Sequence, residues 1–222
     1  MTATPFADRS QAGRLLAAEL APFADRRPVV FGLPRCGVPV AYEIAQQLGA
    51  PLDVVLVRTV RTPDDHDQGG RLLATILEGD PPEVRIEPDW DRSPTVSRAW
   101  FDQQVSEALA EVDRRRRRYR DGSRPVSPTG RVAIVVDQAI GPGHAMAGAL
   151  RLIRGSRPAM IVAATPVASQ AGAERFAKAA DKVVCLRRDA ELGPLSRYYA
   201  QAQQISHEEA LDCLARAAED DS

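Results

Sequence analysis

The chain has 222 residues, 44% of them hydrophobic and 27% charged, with a formal net charge of −1. This balance allows a sizeable core, excludes global disorder, and provides no overall basicity to make nucleic acid the main partner. No apolar run reaches the roughly 18 residues of a membrane span, and "MTATPFADRS" lacks the basic and apolar parts of a secretory signal. The three cysteines, Cys36, Cys185 and Cys213, are odd in number and far apart, which fits a reducing cytoplasm rather than a disulfide framework. No Cys/His spacing reads as a zinc site.

"DRSQAGRLLAAELAPFA" reads as a helix, with Asp8 as N-cap and Gln11 completing a capping box. "PVVFGL" (28–33) is a buried strand by length. "GVPVAYEIAQQLGA" (37–50) is a helix ended by Gly49, with Pro39 in its first turn. "LDVVLVR" (52–58) reads as a second buried strand. Segment 59–92 changes character: it is rich in turn residues and prolines around "RLLATILE". It is expected to be a hood or lid with its own short strands, inserted in a single domain spanning 1–222.

Ser93 and Pro94 predict the start of a long helix that runs to about Tyr119. It ends in five consecutive arginines, which are read as cations that complement the helix dipole and face water. "RVAIVVDQAIGPGHAMAGALRLIR" is strand, acid, glycine loop and helix. "AMIVAATPVA" (159–168) and "KVVCLR" (182–187) are two more strands, with a helix between them. A final helix is capped by Ser206 and Glu209, with Ile205 and Ala210 as staple. Strands alternating with helices predict a doubly wound, mostly parallel sheet.

In such a sheet the ligand sits beyond the strand C-termini, where the order reverses. Three strand ends carry polar chemistry: "LPRCG" (33–37), Arg58, and "DQAIGPGHA" (137–145). With order 2-1-3-4-5, the first and third loops meet over one ligand. Backbone N–H groups of the 139–145 loop and the following helix N-terminus can receive phosphate. Asp137 can accept from sugar hydroxyls, and Arg35 and Arg58 can clamp a second phosphate. The expected ligand is a small molecule with two phosphate-like ends. "DDHD" (64–67) is read as a solvated lid tip, and Cys185, Cys213, Trp90 and Trp100 as packing residues. Tyr198 and Tyr199 either close the pocket or pack the tail.

Through these residues the sequence resembles the type I phosphoribosyltransferases, most of all a bacterial subgroup of about this length. The resemblance runs through "FADRSQAGRLLAAEL", "VVFGLPRCGVPVAYEIAQQLGAPLDVVLVR", "RRRRRYR", the 132–154 stretch, "ATPVAS" and the tail. It implies a phosphoribosyltransferase-like doubly wound parallel five-stranded sheet with a small hood. The implied donor is 5-phosphoribosyl-1-pyrophosphate, with Mg2+ on its pyrophosphate. The implied reaction transfers 5-phosphoribose to a nitrogen nucleophile.

Arg35 and Gly37 match the family's pyrophosphate loop, where Cys36 replaces a glycine. Arg58 matches an Arg-Lys pair whose lysine is Thr59 here. Asp137, the candidate catalytic residue, matches the first of two ribose-binding acids, and Gln138 replaces the second. Ala139, Ile140, Gly141, Gly143, His144 and Ala145 complete the implied substrate loop; Pro142 and Ala145 replace two threonines. Two hydroxyl donors and one N–H are thereby lost, at about 1.5–3 kcal/mol for each bond to an anion.

Three readings stay open: a working transferase, a non-catalytic binder of a nucleotide or sugar phosphate (or a partner subunit), and an enzyme repurposed around Cys36 and His144. Against the third, Cys36 fills a glycine slot and His144 faces solvent. The expected partners are a phosphorylated sugar or nucleotide and a second copy of the chain, without nucleic acid or membrane.

Overall fold

The computed structural model describes residues 4–63, 70–79, 81–120, 125–141 and 145–220. The acidic stretch 64–67, Pro142, Gly143 and His144 lie outside the described residues. Helix α1 (Arg9–Leu20) is capped by Asp8, whose Oδ1 accepts from the Gln11 amide at 2.7 Å. Gln11 reciprocates one residue earlier than a capping box requires, accepting from the Ala7 amide at 2.6 Å. Strand β1 (Val29–Gly32) leads to α2 (Gly37–Leu48), which stops on Gly49 at φ +56°, the left-handed conformation a glycine adopts without a Cβ penalty.

The run 52–58 divides, contrary to the single strand expected. Leu52–Val54 forms β2 of the core, and Val57–Arg61 forms β3 of a second sheet. Residues 54–57 are all buried, so the apolar run serves two sheets and its pattern does not betray the bend. Strands β3, β4 (Leu72–Leu77) and β5 (Glu83–Ile86) make an antiparallel sheet in the order β3-β4-β5. Helix α3 (Arg98–Arg120) covers it, and Trp90 stacks on Phe101 at 4.1 Å between ring centroids. The helix begins later than Ser93 and Pro94 predict. Ser93 closes a turn onto Val96, which is buried, and Ser97 Oγ accepts from the Trp100 amide at 3.2 Å.

The chain returns to the core through β6 (Val132–Val136), α4 (Ala145–Gly155), β7 (Met160–Ser169), α5 (Gln170–Phe176) and β8 (Lys182–Asp189). Helix α6 (His207–Asp220) closes it, with the Ser206 and Glu209 capping bonds at 3.1 and 2.7 Å. The core sheet is wholly parallel in the order β2-β1-β6-β7-β8, which is 2-1-3-4-5 among the core strands, as the sequence predicts. Both faces are buried. Ala133 and Val135 of β6 pack in the cluster with Met146, Ile153 and Phe176, while Val132, Ile134 and Val136 pack with Leu16, Leu20 and Ile44. Among the described residues no helix is long and apolar enough to cross a membrane.

One ion cluster joins the two sheets at their base. Arg120 is buried at the end of α3 and binds Glu78 with Nε and Nη2 at 2.8 and 2.9 Å. Its Nη1 binds Asp53 of β2 and its Nη2 the Val54 carbonyl, the latter at 2.9 Å. Asp53 Oδ2 also accepts from the Val126 amide at 2.7 Å. The basic end of α3 therefore does more than face water.

Candidate functional site

The order reversal lies between β1 and β6, and the loops leaving these strands touch. Leu33 N donates to Val136 O at 2.9 Å, extending the pairing beyond β1. A Cβ at Gly37 would fall 2.7 Å from Val136 O and 3.2 Å from the Cα of Asp137. Only a glycine admits that approach, so the "PRCG" turn and the Asp137 loop form one surface. Arg35, at the apex of the turn, is exposed and holds φ +65°, a left-handed conformation that costs a residue with a Cβ about 1 kcal/mol or more. Cys36 is half-buried and N-caps α2 without a side-chain bond. His144, its expected companion, lies outside the described residues.

Asp137 stands at the end of β6. Desolvation pushes its carboxyl up to about 7, opposed only by the Gln138 amide, which donates to Oδ1 at 2.7 Å. A group titrating there is half ionised at neutral pH, and it gains from any cation or hydroxyl donor that arrives beside it.

Gln138 is held from three sides. Its backbone N–H is committed to Asp137, its backbone oxygen accepts from the Tyr199 hydroxyl at 2.6 Å, and its Oε1 accepts from Arg9 Nε at 2.7 Å. Arg9 is only 5% exposed and its guanidinium lies 5.6 Å from the Tyr199 ring centre. Its Nη2 is buried without a partner among the described residues. The side-chain carbonyl of Gln138 thus has one of its two lone pairs taken by Arg9. Its second lone pair and the two Nε2 donors are left to offer. Tyr199 is fully buried; burial first, then the Asp137 carboxylate, hold its phenol protonated, against the opposing pull of Arg9 and Arg187.

The rest of the loop is stitched to its neighbours. Ile140 bridges to Ala168, its N–H donating to Val167 O at 2.8 Å and its carbonyl accepting from Ser169 N at 2.9 Å. Gly172 at the start of α5 lies so close that a Cβ there would meet the carbonyls of Ile140 and Gly141 at 2.7 and 2.9 Å. The amides of 138 and 140 are therefore spent within the protein. Among the described residues the amides of Ala139 and Gly141 have no partner, and α4 starts exposed at Ala145.

Arg58 is not on a core strand end. It is the second residue of β3 and lines a cavity of about 420 Å³ with Arg61, Glu111 and Arg114. Among the described residues no three His, Cys, Asp or Glu side chains gather as a metal site. Sequence reasoning missed Arg9, because "DRSQAG" reads fully as a helix start and its partner is 129 positions away. Tyr198 and Tyr199 both pack the tail: Tyr198 donates to Asp189 at 2.6 Å, while Tyr199 also backs the site.

Residues 9–199 match the family model of the phosphoribosyl transferase domain. Two curated proteins from strains of Mycobacterium tuberculosis, each named "Putative phosphoribosyl transferase", are 36% identical over 215 residues, 97% of this chain. The chain spans 47% of the length of each. The crystal structure of TT1426 from Thermus thermophilus is similar at a TM-score of 0.78 and 32% identity, covering 96% of this chain and 99% of that one.

Proposed function

The chain belongs to the phosphoribosyltransferase family, and we propose that it transfers 5-phosphoribose from phosphoribosyl pyrophosphate to a nitrogen nucleophile. The observation that carries this reading is the contact at Gly37, which joins the Arg35 turn to Asp137 at the point of order reversal. The pyrophosphate would lie on the Arg35 turn, and the 5-phosphate on the amides of Gly141 and the start of α4. The C1–O bond to pyrophosphate breaks and its electron pair leaves with the pyrophosphate. The nitrogen lone pair then forms the new bond to C1. Positive charge develops on the ring in between, and an ionised Asp137 faces it; electrostatic stabilisation of this kind is worth roughly 3 kcal/mol of barrier.

Magnesium fits this arrangement as a passenger of the substrate, since among the described residues Asp137 is the one acid at the junction of the two loops. When bound it would neutralise charge on the leaving pyrophosphate. Calorimetric titration with phosphoribosyl pyrophosphate, with and without magnesium, tests the proposal. Micromolar, magnesium-dependent binding is expected, and no binding at millimolar ligand overturns it.

A second reading has its own observation. The engaged Gln138 carbonyl and Ile140 amide favour a protein that binds a nucleotide or sugar phosphate without turning it over. Binding of phosphoribosyl pyrophosphate with no pyrophosphate release in the presence of any nucleobase would select it.

A further inference from the structure

The arginine run of α3 exceeds what the helix dipole accounts for. That effect fades beyond the last turn. It covers Arg117, Arg118 and Arg120, but not Arg114 and Arg115. These two instead wall a concavity of about 550 Å³ with Glu111, Arg117, Arg118 and, from α6, His207. Glu111 is one carboxylate shared by two guanidiniums, Arg114 at 2.5 Å and Arg115 at 2.6 Å. Arg118 has a loose partner in Glu208, at 3.7 Å.

His207 is the first residue of α6, so the positive end of a 14-residue helix borders the same space. Glu208 and Glu209 in its first turn offset part of that charge. The imidazole is held below its ordinary range, by desolvation first and then by Arg118, Arg115 and Arg35, against the opposing pull of Glu208. Four guanidiniums line the space against one lining carboxylate, Glu111, while Asp113 pairs with Arg117 and Glu208 with Arg118, and this excess of positive charge in the concavity favours an anion there. Tyr119 Oη lies 2.8 Å from His207 Nδ1, tying α3 to the start of α6.

We propose that the concavity between α3 and α6 binds the oligophosphate group of a small molecule, held by Arg114, Arg115 and Arg118. Arg114 to Arg118 spans about 6 Å along the helix, one turn, which suits two or three linked phosphates better than one. The site is separate from the phosphoribose reading and stands if that reading fails.

The test is calorimetry of the full chain with sodium tripolyphosphate at low ionic strength, where surface charges are least screened. Saturable 1:1 binding is expected, retained in Arg35→Gly, which removes the cation of the strand-end turn at a φ of +65° that glycine accepts. Arg114→Gln/Arg118→Gln, whose side chains are largely exposed, should fold normally and weaken binding at least about tenfold. Absence of saturable binding, unchanged binding by the double variant, or loss of binding in Arg35→Gly overturns the proposal. So does tighter binding of a single-stranded RNA oligonucleotide, which would assign the face to nucleic acid.

Discussion

Gln138→Glu should stabilise this protein although it introduces a charge into a half-buried site. In arginine, Nε and Nη2 project from the same edge of the guanidinium, the edge that holds a carboxylate in two parallel bonds. At Arg9 the first prong meets Gln138 Oε1 at 2.7 Å and the second meets no partner among the described residues. A glutamate carries a second oxygen where the glutamine carries a donor. An orphaned buried donor costs about 1–3 kcal/mol. Desolvation of the arginine is already borne by the wild-type fold, since Arg9 is 5% exposed, so only the new carboxylate adds a penalty. The balance is a gain of about 1 kcal/mol, or roughly 2–4 °C in Tm for a chain of this size.

The assay is thermal and urea unfolding of Gln138→Glu, Arg9→Met and the double variant, read as a double-mutant cycle. Pairing with Arg9 depresses the carboxyl of the new glutamate. The gain should therefore be present above its unfolded pKa of about 4.3 and disappear as pH falls through the lower folded value. A Gln138→Glu protein no more stable than wild type at neutral pH, or a gain that survives Arg9→Met, refutes the reasoning.

Two further outcomes follow from buried charge. Asp137 titrates at about 7 in the fold against an ordinary 3.8, so its burial costs nothing below about pH 4 and destabilises progressively as pH rises towards 7. Asp137→Asn should be the more stable protein above pH 7, by up to about 4 kcal/mol, with the difference vanishing near pH 4; parallel stability curves for the two would contradict the assignment. Arg120→Met strands Asp53 and Glu78 at the base of the hood and should cost about 3–5 kcal/mol in urea unfolding, with Arg120→Lys intermediate. A loss below about 1 kcal/mol would show that the cluster does not hold the sheets together.

What could be read from the sequence was local. Asp8, Gly49 and the Ser206–Glu209 pair act within four residues of their targets, and each sits at the helix end expected of it. The strand order was also legible, because alternating strands and helices with right-handed crossovers leave few arrangements. The bend at 55–56 was hidden, since a run buried on every side has no polar face to mark where it changes sheets. The start of α3 moved because Ser97, not Ser93, accepts from the first turn of the helix, while Ser93 bonds Thr95 and turns the chain onto buried Val96. In the site, Asp137, Gly37 and Arg35 stand together at the strand ends. Arg9 and the commitment of the Gln138 carbonyl were out of reach, because nothing local distinguishes a capping-turn arginine that faces water from one that is buried across the fold.

The Ile140–Ala168 bridge gives the site an unusual division between strand and loop. Its two hydrogen bonds make the first half of the candidate cradle an outlying rung of the core ladder, beside β7. A ligand that leaves the rung closed must take what Ala139, Gly141 and the start of α4 provide. One that draws on the Ile140 amide must first unzip the edge of the sheet. Solvent exchange at the amides of Ile140 and Ser169 would separate the two modes of binding: slower for a ligand that settles over a closed rung, faster for one that opens it.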